Sequence, residues 1–138
     1  DLPPLAGYVS GHDLDFAEHA GLITPDFAQG ERHARKAQLE ALFERLRLEG
    51  LWPPPDDGDD RDPPELALAI AVCRLIGRAR SQLVAASIDD LSLETASLNT
   101  PGHASHEHPP WTRKSRLSTE TLVRDPAAVR IASALRDR

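Results

Sequence analysis

Two stretches of the chain gather residue types that could hold a metal. Asp56, Asp57, Gly58, Asp59, Asp60 and Asp62 offer carboxylate oxygens of the kind a calcium ion takes. Their spacing does not reproduce an EF-hand loop, no glutamate closes the run, and the next helical pattern begins at once, so a solvated acidic loop is the expectation. Further on, His103, His106 and His108, with Glu107 among them, are nitrogen and oxygen donors suited to zinc. They stand beside a glycine and two prolines in aperiodic sequence, whereas a metal centre needs ligands presented in a fixed geometry with supporting hydrogen bonds. No metal is expected at either stretch. The single cysteine, Cys73, cannot form an internal disulfide.

The elements that would position any site are organised around residues 62–93, the most apolar part of the chain. Asp62 suits an N-cap and Pro63 the first helical position. Glu65, three residues after the cap, completes a capping box and predicts a helix over 63–77. Residues 66–76 are almost all Leu, Ala, Ile, Val and Cys, so this helix must be covered on nearly every side. After Gly77, Arg78 and Arg80, the short apolar run at 82–87 reads as a fully buried strand of a parallel sheet, which cannot stand without partner strands. Upstream, Leu39, Leu42, Phe43 and Leu46 recur at helical spacing and predict an amphipathic surface helix over 31–49.

Prolines and glycines punctuate residues 1–27, which should be mostly loop, with a short helix at 14–20 under an Asp13 cap. Residues 52–64 read as a Pro/Asp loop. Asp89, Asp90 and Leu91 begin one more helical turn, about two dozen aperiodic residues follow, and Asp125 with Pro126 opens a final helix carrying Val129, Ile131, Ala132 and Leu135.

With 138 residues, 40% of them hydrophobic but only 4% aromatic, the chain has material for one modest core. The absence of methionine suggests that position 1 is an internal cut or a trimmed terminus. A net charge of −6 argues against nucleic acid as the partner. No stretch reaches the ~20 apolar residues of a membrane span, and a soluble cytoplasmic protein is expected.

Two motifs carry a family resemblance. The opening, DLPPLAGYVSGHDL, resembles the "THD-LPTLAG-(Y/F)W-x-G-R-D" stretch of the bacterial 4-α-glucanotransferases, also called amylomaltases or disproportionating enzymes, a glycoside hydrolase family. Residues 98–113, LNTPGHASHEHPPWTR, resemble that family's "NLPGT-x-x-EHPNWRRKL". The order of helices and the final Asp125-Pro126 helix also agree, so the resemblance spans the chain.

The resemblance implies an α/β fold: the C-terminal part of a (β/α)8 TIM barrel, mostly helical here, with one parallel barrel strand near residues 82–87. It divides the chain into a loop and amphipathic helix (1–51), an acidic Pro/Asp loop (52–62), a buried helix and strand (63–93), a substrate-rim loop (94–117) and C-terminal helices (118–138). It implies retaining transfer of α-1,4-glucan segments between maltose and maltodextrins, in which a nucleophilic Asp and an acid/base Glu precede this chain. Asp1 would be the third carboxylate. Asn99 would hydrogen-bond glucose hydroxyls while Pro101 and Gly102 shape the turn beside the sugar. The implied partner is the N-terminal remainder of the barrel. Val9, His12, His103, Pro110 and Thr112 depart from the family pattern, near the sugar-binding rim, which puts substrate preference and activity in question. Read without the resemblance, the chain is a non-catalytic, mostly helical protein-interaction module.

Overall fold

The computed structural model describes residues 2–54, 62–97 and 112–136. Among them run seven helices: α1 (Leu5–Ser10), α2 (His12–His19), α3 (Pro25–Leu48), α4 (Pro64–Gly77), α5 (Ile88–Leu91), α6 (Thr119–Leu122) and α7 (Pro126–Ala134). Helix α4 is the centre, as its composition demands. Leu66, Ala67, Leu68, Ala69, Ile70, Ala71 and Cys73 are all buried. Two clusters share its surface. On one side Leu66, Ala69, Ile70 and Cys73 meet Ile131 and Ala134 of α7. On the other, Leu68 and Ala71 meet Leu46 of α3 and Leu51.

The approach of α4 to the end of α7 is close enough to require a glycine: a Cβ on Gly77 would lie 2.7 Å from the Leu135 carbonyl oxygen. Helix α3 is held against α4 by the way it ends. Gly50 takes a left-handed φ of 67°, and the Gly50 and Leu51 N–H groups donate back to the Arg47 and Leu46 carbonyls at 3.0 and 2.8 Å. This Schellman arrangement brings Leu51 onto Leu46 inside the second cluster. Phe43 and Trp52 extend the contact, their ring centroids 5.2 Å apart.

The expected strand is absent. No strand occurs among the described residues, and 83–87 have no regular structure, with Leu83 88% exposed. The α/β reading and its barrel strand are therefore corrected to an all-helical arrangement. A parallel strand exists only when neighbours take its backbone hydrogen bonds, and nothing in the described chain supplies them.

Helix starts also moved. Pro63 is extended, as a residue before proline tends to be, so α4 begins at Pro64 and no side chain caps it. Asp62 pairs instead with Arg130 of α7, at 2.5 Å. Asp13 does not cap α2, which begins at His12 after Gly11. Helix α3 starts at Pro25 rather than near residue 31, because Thr24 accepts from the Phe27 N–H and Pro25 sits in the first turn. Part of the expected opening loop is helix α1, and Ala132 of α7 is exposed. The Asp125 cap stands: its side chain accepts from the Ala128 N–H at 2.9 Å.

Candidate functional site

The opening motif and the residues that precede the second motif meet on one side of α4. Helix α1 lies against the turn that follows α5, and its fit there needs Gly7, since a Cβ would fall 2.0 Å from the Thr95 carbonyl oxygen. At the start of α1 the Leu5 N–H donates to Asp90 Oδ1 at 2.7 Å. The other Asp90 oxygen accepts from the Ser87 hydroxyl at 2.7 Å, while the Asp90 N–H donates back to that hydroxyl at 3.0 Å. Ser87 thus caps α5, and Asp90 fixes the first turn of α1. Leu93 follows α5 at a left-handed φ of 53°, where glycine is usual, and packs against the α4–α7 cluster.

Next to this turn, Glu94 is buried at 7% exposure and gathers three donors. Arg113 Nη1 reaches Oε2 at 2.8 Å, and Oε1 accepts from the Arg116 N–H and the Ser115 hydroxyl. Arg113 also donates to the Ala96 carbonyl and Arg116 to the Ser92 carbonyl, each at 2.5 Å. Residues 92–96 and 113–116 are thereby tied together across the sequence between them. Burial alone would push the Glu94 carboxyl up, but the Arg116 N–H and the Arg113 guanidinium hold it below the ordinary range. Asp89 is the opposite case. Its Oδ1 is buried without a hydrogen bond, 4.0 Å from Arg113, and burial pushes its carboxyl up.

Asp13, part of the opening motif, accepts both Arg35 Nη groups, at 2.5 and 2.9 Å. The same guanidinium lies 4.0 Å over the Tyr8 ring and donates to the Tyr8 carbonyl, while the Tyr8 hydroxyl donates to Gln38. Helices α1 and α2 are thus locked onto α3. Chemically, Asp13, Asp90 and Glu94 serve as hydrogen-bond acceptors for structural donors. Cys73 is no nucleophile either, because burial pushes its thiol up to about 11.

Between the lead-in at residues 2–5, α4 and residues 85–90 lies a groove of about 690 Å³. Val72, Cys73 and Ile76 line it from α4, and Asp89 and Asp90 stand at its edge.

The residues expected to touch substrate, Asp1, Asn99, Pro101 and Gly102, lie outside the described residues. So do His103, His106, His108 and all of the acidic run except Asp62. Glu94, Arg113, Arg116 and Arg35 were not singled out from sequence; Arg113 ends the second motif, but charged residues in aperiodic sequence give no sign of burial.

The chain is similar to the 4-alpha-glucanotransferases of Mycobacterium bovis and Mycobacterium tuberculosis, 34% identical over 111 residues. That match covers 80% of this chain but only 14% of each relative. No protein-family model matches the chain, and no solved structure matches it.

Proposed function

We propose that this chain is the C-terminal portion of a 4-α-glucanotransferase that transfers α-1,4-glucan segments between maltodextrins. The observation that carries the reading is the 34% identity to the mycobacterial enzymes over 80% of the chain. The contact of the opening motif with residues 87–96, which lead toward the second motif, supports it. In this reading Asp1 is the third carboxylate, steadying the developing oxocarbenium charge, and Asn99, Pro101 and Gly102 border the sugar. The nucleophile and the acid/base belong to the preceding polypeptide. No metal or organic cofactor takes part, since two carboxylates suffice for retaining transfer. Among the described residues no helix is long and apolar enough to cross a membrane. Work on maltodextrins in the cytoplasm suits the lone, unpaired Cys73.

The test is glucose release from maltotriose by the longer protein encoded by the same reading frame. It should be active, and Asp1→Asn should lower kcat by at least about a hundredfold, in line with loss of one preorganised electrostatic group. Full activity in that variant would remove Asp1 from the mechanism. The all-helical packing favours one other reading, a protein-interaction module, which would stand if the reading frame began at Asp1.

A further inference from the structure

We propose that Glu94, acting through Arg113 and Arg116, is a positioning residue for sugar binding: it joins the residues on which the opening motif packs to the residues that end the second motif. This rests on the transferase reading. It goes further by naming a residue outside both motifs and the step it serves, which is binding of the glucan rather than its cleavage.

Glu94 sits where two parts of the chain meet. Its buried carboxylate takes the Arg113 guanidinium on Oε2, and the Arg116 N–H and the Ser115 hydroxyl on Oε1. A carboxylate is harder to bury than an apolar side chain of its size, and what it adds is direction, because each donor must approach at a set distance and angle. The two arginines carry that order into the backbone. Arg113 grips the Ala96 carbonyl and Arg116 the Ser92 carbonyl, each at 2.5 Å. The two flanks of residues 98–111 are therefore held together, and a stretch of chain fixed at both ends explores less space than one fixed at a single end.

Two placements connect this cluster to the residues read as substrate contacts. Ala96 lies three residues before Asn99, and Arg113 ends the second motif. On the other side the Thr95 carbonyl lies against Gly7, and Asp90 holds the Leu5 N–H, four residues after Asp1. A binding group works only when it is held within about 0.5 Å of its productive place, so groups on both motifs depend on one support. The closer coupling is to Asn99, whose neighbour Ala96 the cluster holds directly, whereas Asp1 is reached only through α1. Loss of the cluster should weaken glucan binding in the ground and transition states alike, which raises KM and spares kcat.

The experiment makes Glu94→Gln and Arg113→Lys in the longer protein, with Asp125→Ala as a control that weakens the start of α7 and touches neither motif. Both cluster variants are mild enough to fold: Gln keeps an acceptor for the Arg116 N–H, and Lys keeps the charge of Arg113 but cannot reach Glu94 and the Ala96 carbonyl together. Each should raise KM for maltotriose at least about tenfold, with kcat within about threefold of the wild type. The double variant Glu94→Gln, Asn99→Ala should be no worse than Asn99→Ala alone, because the two act through one contact. Asp125→Ala should lower the melting midpoint and leave KM unmoved. An unmoved KM in both cluster variants would overturn the inference, and so would a rise that Asp125→Ala matches, which would leave Glu94 a merely structural residue. A fall in kcat with KM unmoved, or effects of Glu94→Gln and Asn99→Ala that multiply, would overturn it as well. An active wild type with neutral cluster variants sinks the positioning inference alone. A wild type that releases no glucose sinks the transferase reading, and the inference falls with it unless calorimetry shows maltotriose bound and Glu94→Gln weakening it about tenfold.

Discussion

Gly7 and Glu94 show how single residues set the shape of the site. Gly7 places in α1 a residue poorly suited to a helix interior, and the reason is contact rather than flexibility: the backbone of Thr95 occupies the space of a Cβ. Gly7→Ala should therefore cost about 1–3 kcal/mol through forced displacement of α1, a loss readable by urea denaturation; an unchanged midpoint would mean the two segments are not in this contact. Glu94 makes stability depend on acid. Its carboxyl is depressed in the folded state, so its contribution is present above the ordinary value of 4.5 and is lost as the pH falls through the lower folded value. Asp89 works the other way, because burial raises its carboxyl and protonation relieves the folded state. Acidification below about pH 4.5 should lower the wild-type melting midpoint more than that of Glu94→Gln, and equal slopes would remove Glu94 from the acid response.

The elements depend on their ends and on one shared face. Asp125 caps α7 and lies partly buried, so Asp125→Ala should cost about 1 kcal/mol by equilibrium unfolding. Ile131 has no exposed surface and sits between α7 and α4; Ile131→Ala should cost about 2–5 kcal/mol, since the emptied volume cannot be refilled by the small Ala69 and Ala134 around it. Were the capping variant the more damaging of the two, the α4–α7 pair would not be the main packing unit. Asp62, by contrast, spans from the start of α4 to Arg130 on a largely exposed surface, where an ion pair adds little.

For the molecule as a whole, the proposed reading makes the 138-residue chain a support without a complete catalytic set. It should release no glucose from maltotriose above a protein-free control, because without nucleophile and acid/base the covalent route is missing. Release by the purified chain would refute the division of labour proposed here. The same chain should bind a hydrophobic dye at the groove, where Ile76 and Leu2 face solvent, and a chain that leaves the dye dark would show that the groove closes on itself.

What the sequence determined by itself is what depends on near neighbours. The amphipathic period of Leu39, Leu42, Phe43 and Leu46, the unbroken apolar run from Leu66 and the Asp125-Pro126 start each act within a turn or two, and each appears as a helix in the structure. The opening motif resembles the bacterial 4-α-glucanotransferases, and the chain is similar to the mycobacterial ones over 111 residues. Tertiary structure decided what depends on distant partners. The apolar run at 82–87 has the composition of a strand but no strand to pair with among the described residues, and it is irregular. Asp62 could cap a helix or meet Arg130, and the extended Pro63 settled the choice. Glu94 reads as a solvated charge until residues 113–116, far along the chain, close around it; a buried carboxylate is tolerated only where such donors converge, and no local pattern announces that they will.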